Sequence, residues 1–132
     1  MPRIPLAGDI LIFRADSCAS SMVPAVLGEA GWNAIVAESG IDGLRQLCER
    51  EPSLVIIEMA TESQGQALCQ CIKRVSNVPV MILASRSRAE DVIQSLEMGA
   101  DDYVIKPVSP AVLVAKVRAC LRRMSWPRAC FA

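Results

Sequence analysis

The sequence predicts an α/β domain, a doubly wound parallel sheet with helices on both faces. Three observations lead there. Leu54-Val-Ile-Ile57 has no polar–apolar alternation, which suits a strand buried on both faces. Further apolar runs of strand length alternate with segments of helical periodicity, five of each along the chain. The central run also ends abruptly in one carboxylate, Glu58. The carboxyl edge of an open α/β sheet is where ligands and chemistry gather.

Taken in order, Asp9–Phe13 reads as the first strand, with Arg14, Ala15, Asp16 and Ser17 at its carboxyl end. Cys18–Ala30 has helical character, and Gly31 is a natural stop for it. Pro24 falls inside that stretch and either kinks the helix or delays its start. Asn33–Ala37 is the second strand. Ser39 can cap a helix over Ile41–Arg50 with the stripe Leu44, Leu47 and Cys48, and Pro52 ends it. After the third strand, Met59–Gln64 is a polar loop. Gln66–Val75 is then a helix with Ala67, Leu68, Cys71, Ile72 and Val75 inward. Val78–Leu83 is the fourth strand, and Pro79 is acceptable near its beginning. Ser87 can cap a helix over Ala89–Met98, ended by Gly99. Tyr103–Ile105 is a short fifth strand. Ser109 can cap a last helix over Pro110–Arg123, with proline in its first turn. Residues 9–123 thus form one domain. Residues 1–8 are an N-terminal extension, and 124–132, with Trp126 and Pro127, a tail or the start of a linker.

Composition narrows the function. Hydrophobic residues make up 52% of the 132 and charged residues 21%, so the chain is globular rather than disordered. Acids and bases cancel at 14 each, which gives no reason to expect nucleic-acid or membrane-surface binding. No apolar run approaches the length of about 20 residues that spans a bilayer. Met1–Asp9 lacks the apolar region of a signal peptide. A cytoplasmic protein is expected. The six cysteines, 18, 48, 69, 71, 120 and 130, include no CxxC pair, and the chain has no histidine. Free thiols in a reducing compartment are expected rather than a zinc site.

Three stretches resemble a known family. Val78-Pro-Val-Met-Ile-Leu83, Gly99-Ala-Asp-Asp-Tyr103 and Lys106-Pro-Val-Ser-Pro110 are similar to the receiver domains of two-component response regulators, in particular the OmpR/PhoB class with winged-helix DNA-binding effectors. The resemblance runs from Asp9 to Arg123. It implies a flavodoxin-like (βα)5 three-layer sandwich with strand order 2-1-3-4-5. It implies a cis peptide bond before Pro107 and a switch residue at Tyr103, although an ordinary half-buried edge tyrosine reads equally well. Such domains take a phosphoryl group from a histidine kinase onto an aspartate at the end of the third strand. Mg²⁺, held by two acidic residues after the first strand, screens the charges. A hydroxyl after the fourth strand and a lysine after the fifth bind the phosphoryl oxygens.

This sequence departs from that pattern. Glu58 stands for the aspartate, Arg14 and Ala15 for the acidic pair, and Ala84 for the hydroxyl residue; Lys106 with Pro107 is kept. Mg²⁺ depends on carboxylate oxygens in near-octahedral array, and here both are lost and a cation gained. Asp16, one residue further on, would have to fold back. The extra methylene of Glu58 moves its carboxylate by about 1.5 Å, one C–C bond. Ser85 does not replace the hydroxyl, because consecutive strand residues face opposite ways. The resemblance therefore implies a pseudo-receiver, a signalling module rather than an enzyme, with no cofactor and no Mg²⁺. Two readings of the pocket stand: Glu58 mimics a phosphate, or Glu58, Lys106 and Arg14 form a fixed ion cluster. The second is preferred.

For output, the family's dimer face is the fourth helix, fifth strand and fifth helix. Asp101, Asp102, Lys116 and Arg118 resemble its charged residues, whereas Gln94 and Val112 replace a usual base and acid. The run Ala111–Ala115 with Val117 is more apolar than one core stripe needs. It is either a broad core contact or a patch that buries against a partner. A homodimer on this face is expected, acting on an effector domain or a protein partner, with no nucleic acid or membrane bound directly. The alternatives are an anion- or small-ligand-binding domain of the same fold, with Arg14 and Lys106 as anion holders, or a true receiver with altered phosphorylation chemistry.

Overall fold

The computed structural model describes residues 8–14, 21–59, 62–85 and 88–124. Ala15, Asp16, Cys18, Ser87, Trp126, Pro127 and Cys130 lie outside the described residues. The elements alternate strictly: β1 Asp9–Arg14, α1 Val23–Glu29, β2 Asn33–Val36, α2 Gly40–Arg50, β3 Leu54–Met59, α3 Glu62–Val75, β4 Val80–Ala84, α4 Ala89–Glu97, β5 Asp102–Ile105 and α5 Pro110–Met124. All strand pairs are parallel, in the order β2-β1-β3-β4-β5. The flavodoxin-like fold is therefore present.

Side-chain alternation along the strands divides the interior into two cores. Ile10, Ile12, Leu54, Ile56, Met81, Leu83 and Val104 face α1 and α5, where they meet Leu27, Leu113 and Val117. Leu11, Phe13, Val55, Ile57, Val80, Ile82 and Ala84 face the other layer and meet Leu47 of α2 and Cys69 and Ile72 of α3. All six residues of β3 are buried, as the uninterrupted apolar run predicted. A strand with both faces covered favours apolar residues, and Glu58 is the one charged member of β3.

Local signals account for several helix ends. The Ser39 hydroxyl accepts the Asp42 N–H at 3.0 Å and starts α2. Ser109 Oγ accepts the Val112 N–H at 3.2 Å and starts α5. Gly31 and Gly99 have φ of 103° and 116°, values that favour a residue without Cβ, and they follow α1 and α4.

Helix α1 begins at Val23, which bears out the delayed start expected of Pro24: it occupies the first turn, where the missing N–H leaves no hydrogen bond unmade. Some expectations are corrected. Helix α3 begins at Glu62 rather than Gln66. Its buried line is Gly65, Cys69 and Ile72, while Ala67, Cys71 and Val75 are exposed. Gly65 lies on that buried line, and a Cβ there would overlap the Met59 thioether, which would have to shift. Strand β4 starts at Val80. Its first N–H is taken by the Asp101 carboxylate at 2.8 Å, and the Pro79 carbonyl still accepts from Val55 at 2.9 Å.

Candidate functional site at the carboxyl edge of the sheet

Parallel register aligns one row across the carboxyl edge. Arg14 of β1 lies beside Glu58 of β3, Glu58 beside Leu83 of β4, and Leu83 beside Val104 of β5. Glu58 sits at the strand's carboxyl end, as expected from the sequence, and is the fifth of its six residues. By alternation its side chain falls with Ile56 on the α1/α5 face.

Lys106 reaches Glu58 from the end of β5. Its backbone N–H donates to the Ala84 carbonyl at 2.8 Å, which fixes the start of the loop, and the following bond to Pro107 is cis. The side chain crosses the sheet edge and places Nζ 2.7 Å from Glu58 Oε2. The Glu58 side chain has no exposed surface, and Lys106 keeps 25% of its own. The contact is an ion pair without hydrogen-bond alignment, so both Glu58 oxygens are buried and accept no hydrogen bond. Among the described residues no ion pair joins Arg14 to Glu58. The three-member cluster expected from the sequence is here a pair.

The clefts around Glu58 separate the two cations. A cleft of about 660 Å³ lies between the start of α1 and the β5–α5 loop. Met22, Val23, Val26, Leu83, Val108 and Leu113 form its apolar wall, and Glu58, Ser85 and Lys106 its polar side. A smaller cavity of about 140 Å³ on the β2–α2 side is lined by Arg14, Ser39, Glu58 and Leu68 among others. Ala84 does not line the larger cleft, because it packs into the α2/α3 core. Ser85, expected to point away, lines the larger cleft with Glu58. Alternation explains both: Leu83 and Ser85 share Glu58's face and Ala84 does not.

An Mg²⁺ ion does not fit the described residues here. It needs several oxygen donors at once. Glu58 supplies one carboxylate already facing an ammonium, and no three His, Cys, Asp or Glu side chains among the described residues converge to hold a metal.

The remaining sequence-selected residues are scattered. Tyr103 is half-buried and packs against the α2/α3 core. Gln94 on α4 is exposed, as is Val112 on α5. Asp101 is engaged within the protomer, accepting from Lys73 Nζ at 3.0 Å as well as from Val80. Asp102 pairs with Lys116 at 3.7 Å. Arg118 turns towards α1, its guanidinium 5.9 Å from the centre of the Trp32 ring. Sequence reasoning missed the cleft-lining Met22, Val26, Val108 and Leu113. They come from the start of α1 on one side and from the β5–α5 loop and α5 on the other, far apart in the chain.

The profile of the response regulator receiver domain matches residues 10–118. This chain belongs to the response regulator receiver family. AfsQ1 of Streptomyces coelicolor, a transcriptional regulatory protein, is 37% identical over 115 residues, 86% of this chain and 51% of that protein. The DNA-binding response regulator MtrA of Mycobacterium tuberculosis is 36% identical over 86% of this chain and 50% of its own length. The receiver thus spans about half the length of the curated relatives it matches. Among solved structures, a two-component response regulator from Clostridium difficile superposes with a TM-score of 0.79 at 28% identity, covering 89% of this chain and 98% of that one. The BeF3-activated receiver domain of Klebsiella pneumoniae RstA gives 0.77 at 30% identity, with 86% and 98% covered. Receiver domains are signalling modules. Among the described residues no helix is long and apolar enough to cross a membrane.

Proposed function

We infer that this receiver signals without accepting a phosphoryl group. The observation behind this reading is Glu58: fully buried, with the Lys106 ammonium 2.7 Å from one oxygen. Phosphoryl transfer needs the attacking oxygen in line with the leaving group and a metal to neutralise developing charge. Glu58 carries its carboxylate one methylene further than an aspartate would, and the described residues offer no acidic group that joins it around Mg²⁺, so neither need is met. Lys106 instead serves as a permanent counter-ion, and the pair is a fixed element of the fold. No cofactor is required.

The output in this reading is association through α4, β5 and α5, which leave Ile93, Leu96, Ile105 and Val112 exposed. The partner is a second copy of the domain, and the assembly controls a DNA-binding effector of the kind that the names of AfsQ1 and MtrA indicate for those proteins. The domain itself contacts neither nucleic acid nor membrane.

The test is intact-mass measurement after incubation with acetyl phosphate and Mg²⁺. An unchanged mass is expected. A phosphoryl adduct present in wild type and absent in Glu58→Gln overturns the reading and makes the domain a true receiver with altered chemistry.

A further inference from the structure

Helix α4 is fastened to the domain differently from the other four. Helix α1 gives Leu27 to the interior, α2 gives Leu47, α3 gives Cys69 and Ile72, and α5 gives Leu113 and Val117. Among the described residues of the two cores, none comes from α4. Its one fully buried residue is a serine, Ser95. Its large apolar side chains Ile93 and Leu96 are exposed instead. The sequence of α4 does little to hold the helix by itself. It has nine residues, Ala89–Glu97, and an isolated helix shorter than about 12–15 residues is marginal in water. Val92, Ile93 and Ser95 lie in its interior, and β-branched residues and serine are weaker helix formers than alanine or leucine.

A polar contact from α3 reaches the inner face of this helix. The Gln66 side-chain amide donates to Ser95 Oγ at 3.4 Å and to the Asp91 carbonyl at 3.5 Å. Asp91 and Ser95 are four residues apart, so they stand one turn above the other on one face, and a single amide group spans them. Hydrogen bonds of this length are weak. An element with few buried apolar contacts opens locally at well below the free energy of global unfolding. A weak polar tether in place of a core contact therefore lets α4 open while the sheet stays folded.

We propose that α4 is a separately opening unit whose docking is set by Gln66, and that Gln66 thereby controls the presentation of Ile93 and Leu96 on the association face. Gln66 is a positioning residue. It belongs to α3, outside that face, and acts on it through Ser95 and Asp91. The control of presentation rests on association through α4, β5 and α5; the separate opening of α4 does not.

The test is amide hydrogen exchange of the ¹⁵N-labelled protein, dilute enough to sediment as a monomer. Val92 and Met98, whose N–H groups donate to the Arg88 and Gln94 carbonyls at 3.2 and 2.9 Å, report on α4. Leu47 reports on α2 and Ile72 on α3. Val92 and Met98 are expected to exchange at least about tenfold faster than Leu47, the difference made by one buried leucine. Gln66→Ala, a substitution that favours α3 itself, is expected to speed Val92 and Met98 about fivefold, the effect of one hydrogen bond. Leu47 and Ile72 should not change. Gln66→Met keeps the length of the side chain without its donor and is expected to act in the same way. Equal protection of α4 and α2, no change at α4 in either variant, or an equal change at Ile72 overturns the tether. At higher concentration, sedimentation is expected to show wild type associating more strongly than Gln66→Ala. Equal association of the two overturns the control of the face. A wild type that stays monomeric overturns association itself and that control with it, while exchange in the dilute protein still decides the tether.

Discussion

Lys106 and Glu58 stand 2.7 Å apart at the end of the sheet, one quarter exposed and the other fully buried. That asymmetry decides what each substitution does. Removing the ammonium strands a charge in a low-dielectric interior; removing the carboxylate leaves a lysine that can turn to water. Lys106→Met is expected to destabilise the fold towards the lower end of about 3–5 kcal/mol, because Lys106 is not fully desolvated. Glu58→Gln is expected to be milder. The double variant Glu58→Met with Lys106→Met should recover most of the loss, since two apolar side chains leave no unpaired charge. Urea unfolding of the three proteins checks the order, and a double variant no better than Lys106→Met refutes it.

If the pair is a fixed element, it does not control assembly. Sedimentation of wild type and Glu58→Gln at equal concentration should then give the same association state. A Glu58→Gln protein that dissociates where wild type is dimeric favours Glu58 as a phosphate mimic.

The association face gives a separate expectation. Ile93 and Val112 are 56% and 46% exposed on α4 and α5. A carboxylate at either position would be desolvated in a dimer and harmless in a monomer. Val112→Glu and Ile93→Glu should therefore weaken self-association with little change in the urea midpoint. Identical sedimentation of Val112→Glu and wild type at micromolar concentration would remove this face.

Two glycines should respond differently to the same change. A Cβ on Gly43 would overlap the Phe13 ring, and one on Gly65 the Met59 thioether. Alanine gains up to about 1 kcal/mol of helix propensity at either site. At Gly43 the packed ring cannot yield, and overpacking of about 1–3 kcal/mol outweighs that gain. At Gly65 the flexible thioether can move, so the loss is smaller. Thermal unfolding should rank Gly43→Ala below Gly65→Ala, and Phe13→Leu should partly restore Gly43→Ala.

Acid stability should depend on Asp42. The Glu38 backbone N–H, and then the Arg45 and Gln46 side chains, hold its carboxyl below the usual value of 3.8. A carboxylate favoured by the fold contributes stability above its unfolded pKa and loses it as pH falls through the lower folded value. The urea midpoint of wild type should therefore drop below about pH 3.8 more steeply than that of Asp42→Asn. Parallel acid limbs in the two proteins would show that Asp42 contributes nothing.

Signals confined to a few neighbouring residues determined much of this protein from sequence alone. The apolar run at Leu54–Ile57 marked the central strand, because burial on both faces favours apolar residues at successive positions. Ser39 and Ser109 marked two helix starts through their own hydroxyls. Gly31 and Gly99 marked two helix ends through their backbone freedom. The replacement of an acidic pair and a hydroxyl residue around Glu58 was equally visible, since it is a matter of residue type. Tertiary packing decided the rest. Only the packing of α3 on the sheet shows that Cys69 rather than Cys71 is buried, with Gly65 close against Met59. Only the register of β3 against β4 puts Leu83 and Ser85 on Glu58's face and Ala84 behind it. The pairing of Lys106 with a fully buried carboxylate, and the apolar cleft beside it, join residues far apart in the chain. Local periodicity cannot encode such meetings, because they depend on how whole elements pack.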